Sequence, residues 1–177
     1  MKRLLGGLMA LLALPASAFA ALKVGDSAPL FSTEASMAGK PYAFDLNAAL
    51  RNGPVVLYFF PAAFTAGCTV EAHAFAEAAD AFKAQGATLI GVTAGNIERV
   101  REFSVSECSN KFAVAADPGA RITRSYKAAM GPMAVSSRTS YVITPDRRIA
   151  YVYSALSPDN HVRNTLDAVT AWRRAHR

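Results

Sequence analysis

The chain has 177 residues and a formal charge of +6 at pH 7, with 52% hydrophobic and 18% charged residues. That length suits one ordinary domain and is short for two. The mix excludes a disordered chain, a collagen-like repeat and a coiled coil, each of which needs a strong compositional bias.

Part of the apolar excess lies in Met1 to Ala20, which reads as a secretory signal peptide. Lys2 and Arg3 give a positive start, Leu4 to Leu14 an apolar run, Pro15 a helix breaker, and Ala18-Phe19-Ala20 a small-x-small cleavage site. The run is shorter than the roughly 18 to 20 residues a spanning helix needs, so cleavage after Ala20 is expected. Residues 21–177 then form one exported domain with no membrane association. Losing Lys2 and Arg3 lowers the charge from +6 to +4, and Arg173, Arg174 and Arg177 suit a solvated helix end. Nucleic acid is therefore not an expected partner.

Leu22 to Arg51 shows no clear periodicity and reads as a looser segment. Val55 to Phe60 and Ala87 to Thr93 are short apolar runs rich in β-branched and aromatic residues, bounded by Gly and Pro, and predict strands buried on both faces. Between them Gly67 to Gln85 predicts a helix stopped by Gly86, with Val70, Phe75, Ala78, Ala79 and Phe82 apolar and Glu71, Glu77, Asp80 and Lys83 interleaved. Strand, helix and strand make a right-handed parallel crossover. Asn96 is expected to cap a second helix through about Glu107; Phe112 to Ala116 is a short strand, and Asp117-Pro118 opens a helix toward Tyr126. Thr139 to Thr144 and Ile149 to Tyr153 flank a hairpin turn, and Pro158-Asp159 opens the last helix, ending near His176. Parallel crossovers followed by a hairpin and a helix describe an α/β, thioredoxin-like fold: a mixed central sheet flanked by helices.

Two cysteines remain after cleavage, Cys68 and Cys108, 40 residues apart. In an exported protein such a pair is first a structural disulfide, worth about 4 kcal/mol in the chain-entropy account. Cys68, however, lies one short turn past a buried strand, at the opening of a helix. There, unpaired N–H groups and the positive end of the helix dipole favour thiolate over thiol. Both readings stand at this point.

The residues upstream sharpen the second. Pro61-Ala62-Ala63-Phe64-Thr65-Ala66-Gly67-Cys68 fits P-x-x-x-T-x-x-C, and Thr69-Val70-Glu71 continues it. With Arg138 just before the strand at Thr139, Val24-Gly25-Asp26-Ser27-Ala28-Pro29 near the start and Ala116-Asp117-Pro118 later, the chain resembles the peroxiredoxin family. Within it, the likeness is to the bacterioferritin-comigratory, PrxQ-type subfamily. The resemblance implies a thiol peroxidase that reduces hydroperoxides. Cys68 would be the nucleophile, oxidised to a sulfenic acid. Thr65 would donate to sulfur or peroxide, Arg138 would supply a fixed cation, and Pro61 would limit water around the sulfur. The N–H groups of Gly67 and Cys68 would hold the oxygens at the helix start. Glu71 would pair with an arginine near the site or face solvent.

Many relatives of this type carry a resolving cysteine five residues after the nucleophile, where this chain has His73, expected to face solvent or to pack as a neutral imidazole. A second group places it on the next helix, which implies Cys108 as the resolver, through an intramolecular disulfide. The resemblance further implies a thioredoxin-like dithiol reductant, a monomer and a periplasmic location. Ala66 and Ala62-Ala63 depart from the usual loop without touching its chemistry. His161 and His176 are isolated, so no metal set is expected, and no cofactor. Two rival readings remain. A thiol-disulfide oxidoreductase or copper chaperone normally needs a second cysteine beside Cys68, and a non-enzymatic binding module would use Cys68–Cys108 as a static staple.

Overall fold

The computed structural model describes residues 21–131 and 135–176; the expected signal peptide at 1–20 lies outside the described residues. Twelve elements are labelled in chain order: β1 (Ser32–Met37), β2 (Lys40–Asp45), α1 (Leu46–Leu50), β3 (Val55–Phe59), α2 (Ala66–Ala84), β4 (Thr88–Thr93), α3 (Val100–Ser106), β5 (Ala113–Ala116), α4 (Arg121–Ser125), β6 (Thr139–Ile143), β7 (Ile149–Ser154) and α5 (His161–Ala175). The strands form one mixed sheet in the order β2-β1-β5-β4-β3-β6-β7. The centre, β3-β4-β5, is parallel, and β6-β7 and β1-β2 add antiparallel ribbons at its two sides.

Side-chain alternation along β3 builds two cores. Val55, Leu57 and Phe59 enter one, beneath α1 and α4, while Val56, Tyr58 and Phe60 enter the other, beneath α2, α3 and α5. All six are buried, and removing each large apolar side chain from water contributes roughly 1.5–3 kcal/mol. The second core holds both cysteines. Tyr58 stacks on Phe75 at 4.4 Å and lies flat over Gly91, where an added Cβ would come within 2.7 Å of its ring.

The predicted strands and the helix that carries Cys68 stand within a residue or two of their expected bounds, and Gly86, at φ +69, stops α2 as expected. Four local expectations are corrected. Leu22 to Arg51 is not loose throughout: β1 and β2 make a hairpin joined by Ala38 and Gly39 at φ +50 and +74, and α1 follows, capped by the Asp45 carboxylate on Ala48 N–H at 2.6 Å. Its mostly exposed edge strand, with Pro41, carries too few β-branched residues to stand out as a strand. Asn96 does not cap a helix; it is left-handed and is followed by a 3-10 turn, Ile97–Arg99, before α3. The Asp117-Pro118 segment likewise begins as a 3-10 turn, and the Asp117 carboxylate accepts from Ile122 N–H, Thr123 N–H and Thr123 Oγ1. The last helix starts at His161, two residues later than Asp159, because Asn160 turns left-handed at φ +68.

Candidate active site

The site stands where β3 runs out. Beyond Phe59 the chain must cross the carboxyl edge of the sheet and reverse into α2, and the parallel neighbour β4 supplies anchors for that crossing. Phe60 N–H donates to Val92 O at 3.2 Å, Thr93 Oγ1 to Pro61 O at 3.2 Å, and Ala63 N–H to Gly95 O at 3.3 Å. Asn96, free of any capping duty, donates its Nδ2 to Ala63 O at 2.8 Å. Gly95 is required by this approach, since a Cβ there would stand 2.4 Å from Pro61 O. Phe64 takes a left-handed backbone at φ +62, strained for an aromatic residue. It is held by the Arg99 guanidinium, 3.7 Å over its ring, and by Phe103 edge-on at 5.2 Å.

This loop delivers Cys68 as the third residue of α2, with only 1% of its surface exposed. The antiparallel register of β3 and β6 sets Thr139 opposite Phe59, so Arg138, one residue earlier, arrives beside the same loop. Arg138 is 5% exposed and fully engaged. Its Nε donates to Leu156 O at 2.8 Å, its Nη2 to Cys68 Sγ at 3.6 Å, and its Nη1 makes a short contact with Glu71 Oε2. Ala155 N–H and Ser154 Oγ both bond to Arg138 O, tying the arginine's own backbone to the end of β7.

Glu71 and His161 complete the buried set, each with no exposed surface. His161 Nε2 lies 3.2 Å from Ala155 O, its Nδ1 lies 2.8 Å from Ser140 Oγ, and that same Nδ1 is 3.6 Å from Glu71 Oε1. Burial pushes the Glu71 carboxyl up to about 8 although the Arg138 guanidinium pulls the other way. Burial also pushes His161 down to about 4, so its imidazole is neutral at physiological pH. Cys108 lies two residues beyond α3, not within it, and is fully buried, which raises its thiol well above the ordinary range. Both cysteines are free thiols on the same side of the sheet.

Of the residues singled out from sequence, Pro61, Thr65, Gly67, Cys68, Glu71 and Arg138 are brought together by these elements; Cys108 is on the same side of the sheet but on a different segment. Several details differ from expectation. The Thr65 hydroxyl donates to Ala62 O at 3.1 Å rather than toward sulfur. Cys68 N–H donates to Thr65 O at 2.9 Å, so an oxygen at the helix start meets one donor fewer than expected. Val70, counted with the apolar face of the helix, is 56% exposed, whereas Glu71, counted with the polar face, is buried. His73 faces solvent as expected, and it stands 3.0 Å from Glu107 Oε2, bridging α2 to the residue before Cys108; such surface pairs contribute little. His161, read as isolated, belongs to the site, and nothing in its local sequence marks it. Among the described residues no group of three or more His, Cys, Asp or Glu is placed to hold a metal.

Gly67 has a role other than its N–H. A Cβ there would sit 3.0 Å from Arg138 Nη2, the nitrogen that faces Cys68. Gly67→Ala should therefore separate stability from activity. Alanine in a helix is favoured over glycine by about 1 kcal/mol, so the melting temperature should hold or rise. The displaced guanidinium should cost peroxide turnover on the order of tenfold in kcat/KM. Parallel thermal melts and steady-state assays check both signs.

The AhpC/TSA family model matches residues 24–152. A Mycobacterium tuberculosis (strain H37Rv) protein that carries a peroxiredoxin name is 32% identical over 160 residues, covering 86% of this chain and 99% of the relative. Peroxiredoxin Bcp of Escherichia coli K12 is 28% identical over 161 residues, covering 88% and 97%. Among solved structures, peroxidoxin BcpB of Mycobacterium tuberculosis superposes with a TM-score of 0.77 at 27% identity, covering 85% of this chain and 97% of that one.

Proposed function

The chain belongs to the AhpC/TSA family and is a peroxiredoxin, a thiol peroxidase, and from that premise we propose that Cys68 is the sulfur that attacks the hydroperoxide. The observation that supports this reading is the Arg138 guanidinium, held by Leu156 O and Glu71, with its remaining arm on Cys68 Sγ at 3.6 Å. The Cys68 thiolate attacks the terminal oxygen of ROOH, the O–O bond breaks, and the products are Cys68–SOH and RO⁻, which takes a proton to leave as ROH. Arg138 faces the charge that moves from sulfur to the departing oxygen and needs no rearrangement to do so. Pro61 and the apolar Ala62-Ala63 edge keep the loop poor in water, and a turn of the Thr65 hydroxyl away from Ala62 O would free it to donate to sulfur or peroxide.

Resolution falls to Cys108 in this reading: its thiol sulfur attacks Cys68–SOH, a disulfide forms and water leaves. A thioredoxin-like dithiol then reduces the disulfide, returning both thiols. Burial raises the Cys108 thiol well above the ordinary range, and a disulfide with Cys68 needs a Cα separation of about 4.4–6.8 Å. Release of Cys108 from the turn after α3 is part of the proposed cycle. The reading takes hydrogen peroxide and organic hydroperoxides as substrates and a monomer as the working unit. An exported, PrxQ-type enzyme of the periplasm is the accompanying proposal, supported by the charge and small-residue pattern of residues 1–20.

One experiment tests the chemistry. The reduced protein, given one equivalent of hydrogen peroxide, should lose both thiols with a mass change of about −2 Da. Cys108→Ser should stop at the sulfenic acid, about +16 Da. Wild type halting at the sulfenic acid would remove Cys108 from the resolving role and leave it to an external thiol.

A further inference from the structure

Glu71 raises a question the peroxidase chemistry does not answer. Its Oε2 accepts from Arg138 Nη1, but its Oε1 is buried and has no hydrogen-bond partner among the described residues. An ionised carboxylate leaves such an oxygen rarely unmatched, because a buried anion without donors is costly. His161 Nδ1 faces Oε1 at 3.6 Å. The state of that nitrogen follows from its other contacts. His161 Nε2 lies 3.2 Å from Ala155 O, a carbonyl that only accepts, so Nε2 carries the ring proton. Nδ1 is then a bare lone pair, taking the Ser140 hydroxyl at 2.8 Å. With that lone pair engaged, the imidazole offers Oε1 no donor across 3.6 Å, so a negative charge on Glu71 would stand unmatched there.

Resting on the reading of Cys68 and Arg138 above, we propose that Glu71 and His161 are a positioning pair. The Glu71 carboxyl is held in its acid form because the His161 imidazole presents no donor to Oε1, so that the Arg138 guanidinium keeps its whole charge for the Cys68 sulfur and the peroxide oxygens. Were Glu71 ionised, its negative charge would sit on one arm of the guanidinium and oppose the field that the other arm presents to sulfur. The groups around Glu71 agree with this. Arg138 faces it from the start of β6, His161 from α5, Tyr58 from β3 and Cys68 from its own helix; the only cation among them is Arg138, and the imidazole is neutral. Burial raising Glu71 to about 8 runs in the same direction.

The sign of the pH effect follows. As Glu71 loses its proton around pH 8, Arg138 loses effective charge at the sulfur, so the second-order rate constant for oxidation by hydrogen peroxide should fall through that region. The drop should be on the order of tenfold, the size of one nearby charge. In Glu71→Gln, which imitates the acid form permanently, the decline should vanish and the variant should outrun wild type at alkaline pH. In His161→Gln a side-chain amide N–H becomes available to Oε1, which favours the carboxylate, and the decline should move to lower pH. Difference infrared spectra between neutral and alkaline pH supply a readout that does not depend on turnover: wild type should show the carbonyl stretch of a protonated carboxyl disappearing with the same midpoint, and Glu71→Gln should lack it. A Glu71→Gln enzyme slower than wild type at every pH would overturn the pair. So would a wild-type protein with no protonated carboxyl at neutral pH, or a His161→Gln profile that does not move. Should either variant fail to fold, the wild-type spectrum and wild-type rate profile carry the test. Retained peroxide consumption in Cys68→Ser would instead sink the peroxidase assignment of that sulfur, a separate failure.

Discussion

Cys68→Ser should reduce peroxide turnover to the uncatalysed level while leaving the fold intact. Serine differs from cysteine by one atom, and the site is 1% exposed, so packing in the core shared with Phe75 and Phe103 survives. What is lost is a sulfur whose lone pair attacks a weak O–O bond; a neutral hydroxyl in the same place has no comparable reactivity. Removing a nucleophile typically costs as much as removing the whole assembly around it, on the order of 10⁴-fold or more. Consumption of hydrogen peroxide with an artificial dithiol, set beside far-ultraviolet circular dichroism, decides the matter. A folded Cys68→Ser protein that still consumes peroxide would move the chemistry elsewhere.

Arg138→Lys should lower kcat/KM for peroxide by about 10²–10³-fold, even though the charge is kept. Arg138 serves three directions at once: Nε to Leu156 O, Nη1 to Glu71 and Nη2 to Cys68. A lysine ammonium is a single point on a flexible stem and cannot span the backbone carbonyl, the carboxyl and the sulfur. The ammonium is expected to settle on one partner, leaving the sulfur without its aimed donor. Glu71 answers by holding its proton more tightly, so the protein stays folded. Comparing Lys and Met at this position separates geometry from charge: near-equal losses show that the fork, rather than the charge alone, carries the effect.

The central architecture was legible because burial on both faces writes itself into composition. Val55 to Phe59 and Thr88 to Thr93 are continuous apolar runs between Gly and Pro, and continuous runs in a short space admit few structures. The hairpin of β1 and β2 was not legible, because an exposed edge with Ala38-Gly39 at its turn leaves no apolar alternation to read. Within the site, Cys68, Thr65, Pro61 and Arg138 were accessible through spacing and a familiar pattern. Glu71 and Val70 show where such reading runs out. Residue type sends valine inward and glutamate outward, yet the structure does the reverse: helical spacing from Phe75 and Phe82 turns position 71 inward and position 70 outward, and the buried Arg138 guanidinium meets the inward carboxyl. His161 is 90 residues from Glu71 in the chain and meets it only through tertiary packing, which no local pattern encodes. Asn96 suited a cap by residue type; its amide was drawn instead to the Ala63 carbonyl that the crossing loop leaves exposed.

That crossing loop has a thermodynamic consequence. Residues 61–65 carry the approach to Cys68, and besides Thr93 of β4 on Pro61 O, several of their anchors come from the stretch that leads into α3 and on to Cys108: Gly95 O, Asn96 Nδ2, the Arg99 guanidinium and the Phe103 ring. Loosening either segment removes some of the other's anchors, so their openings are energetically coupled. The left-handed Phe64 weights that balance, because a bulky residue held there stores about 1–3 kcal/mol that returns when the loop relaxes. The closed state is thus a loaded one, in which release of either sulfur-bearing segment eases release of the other.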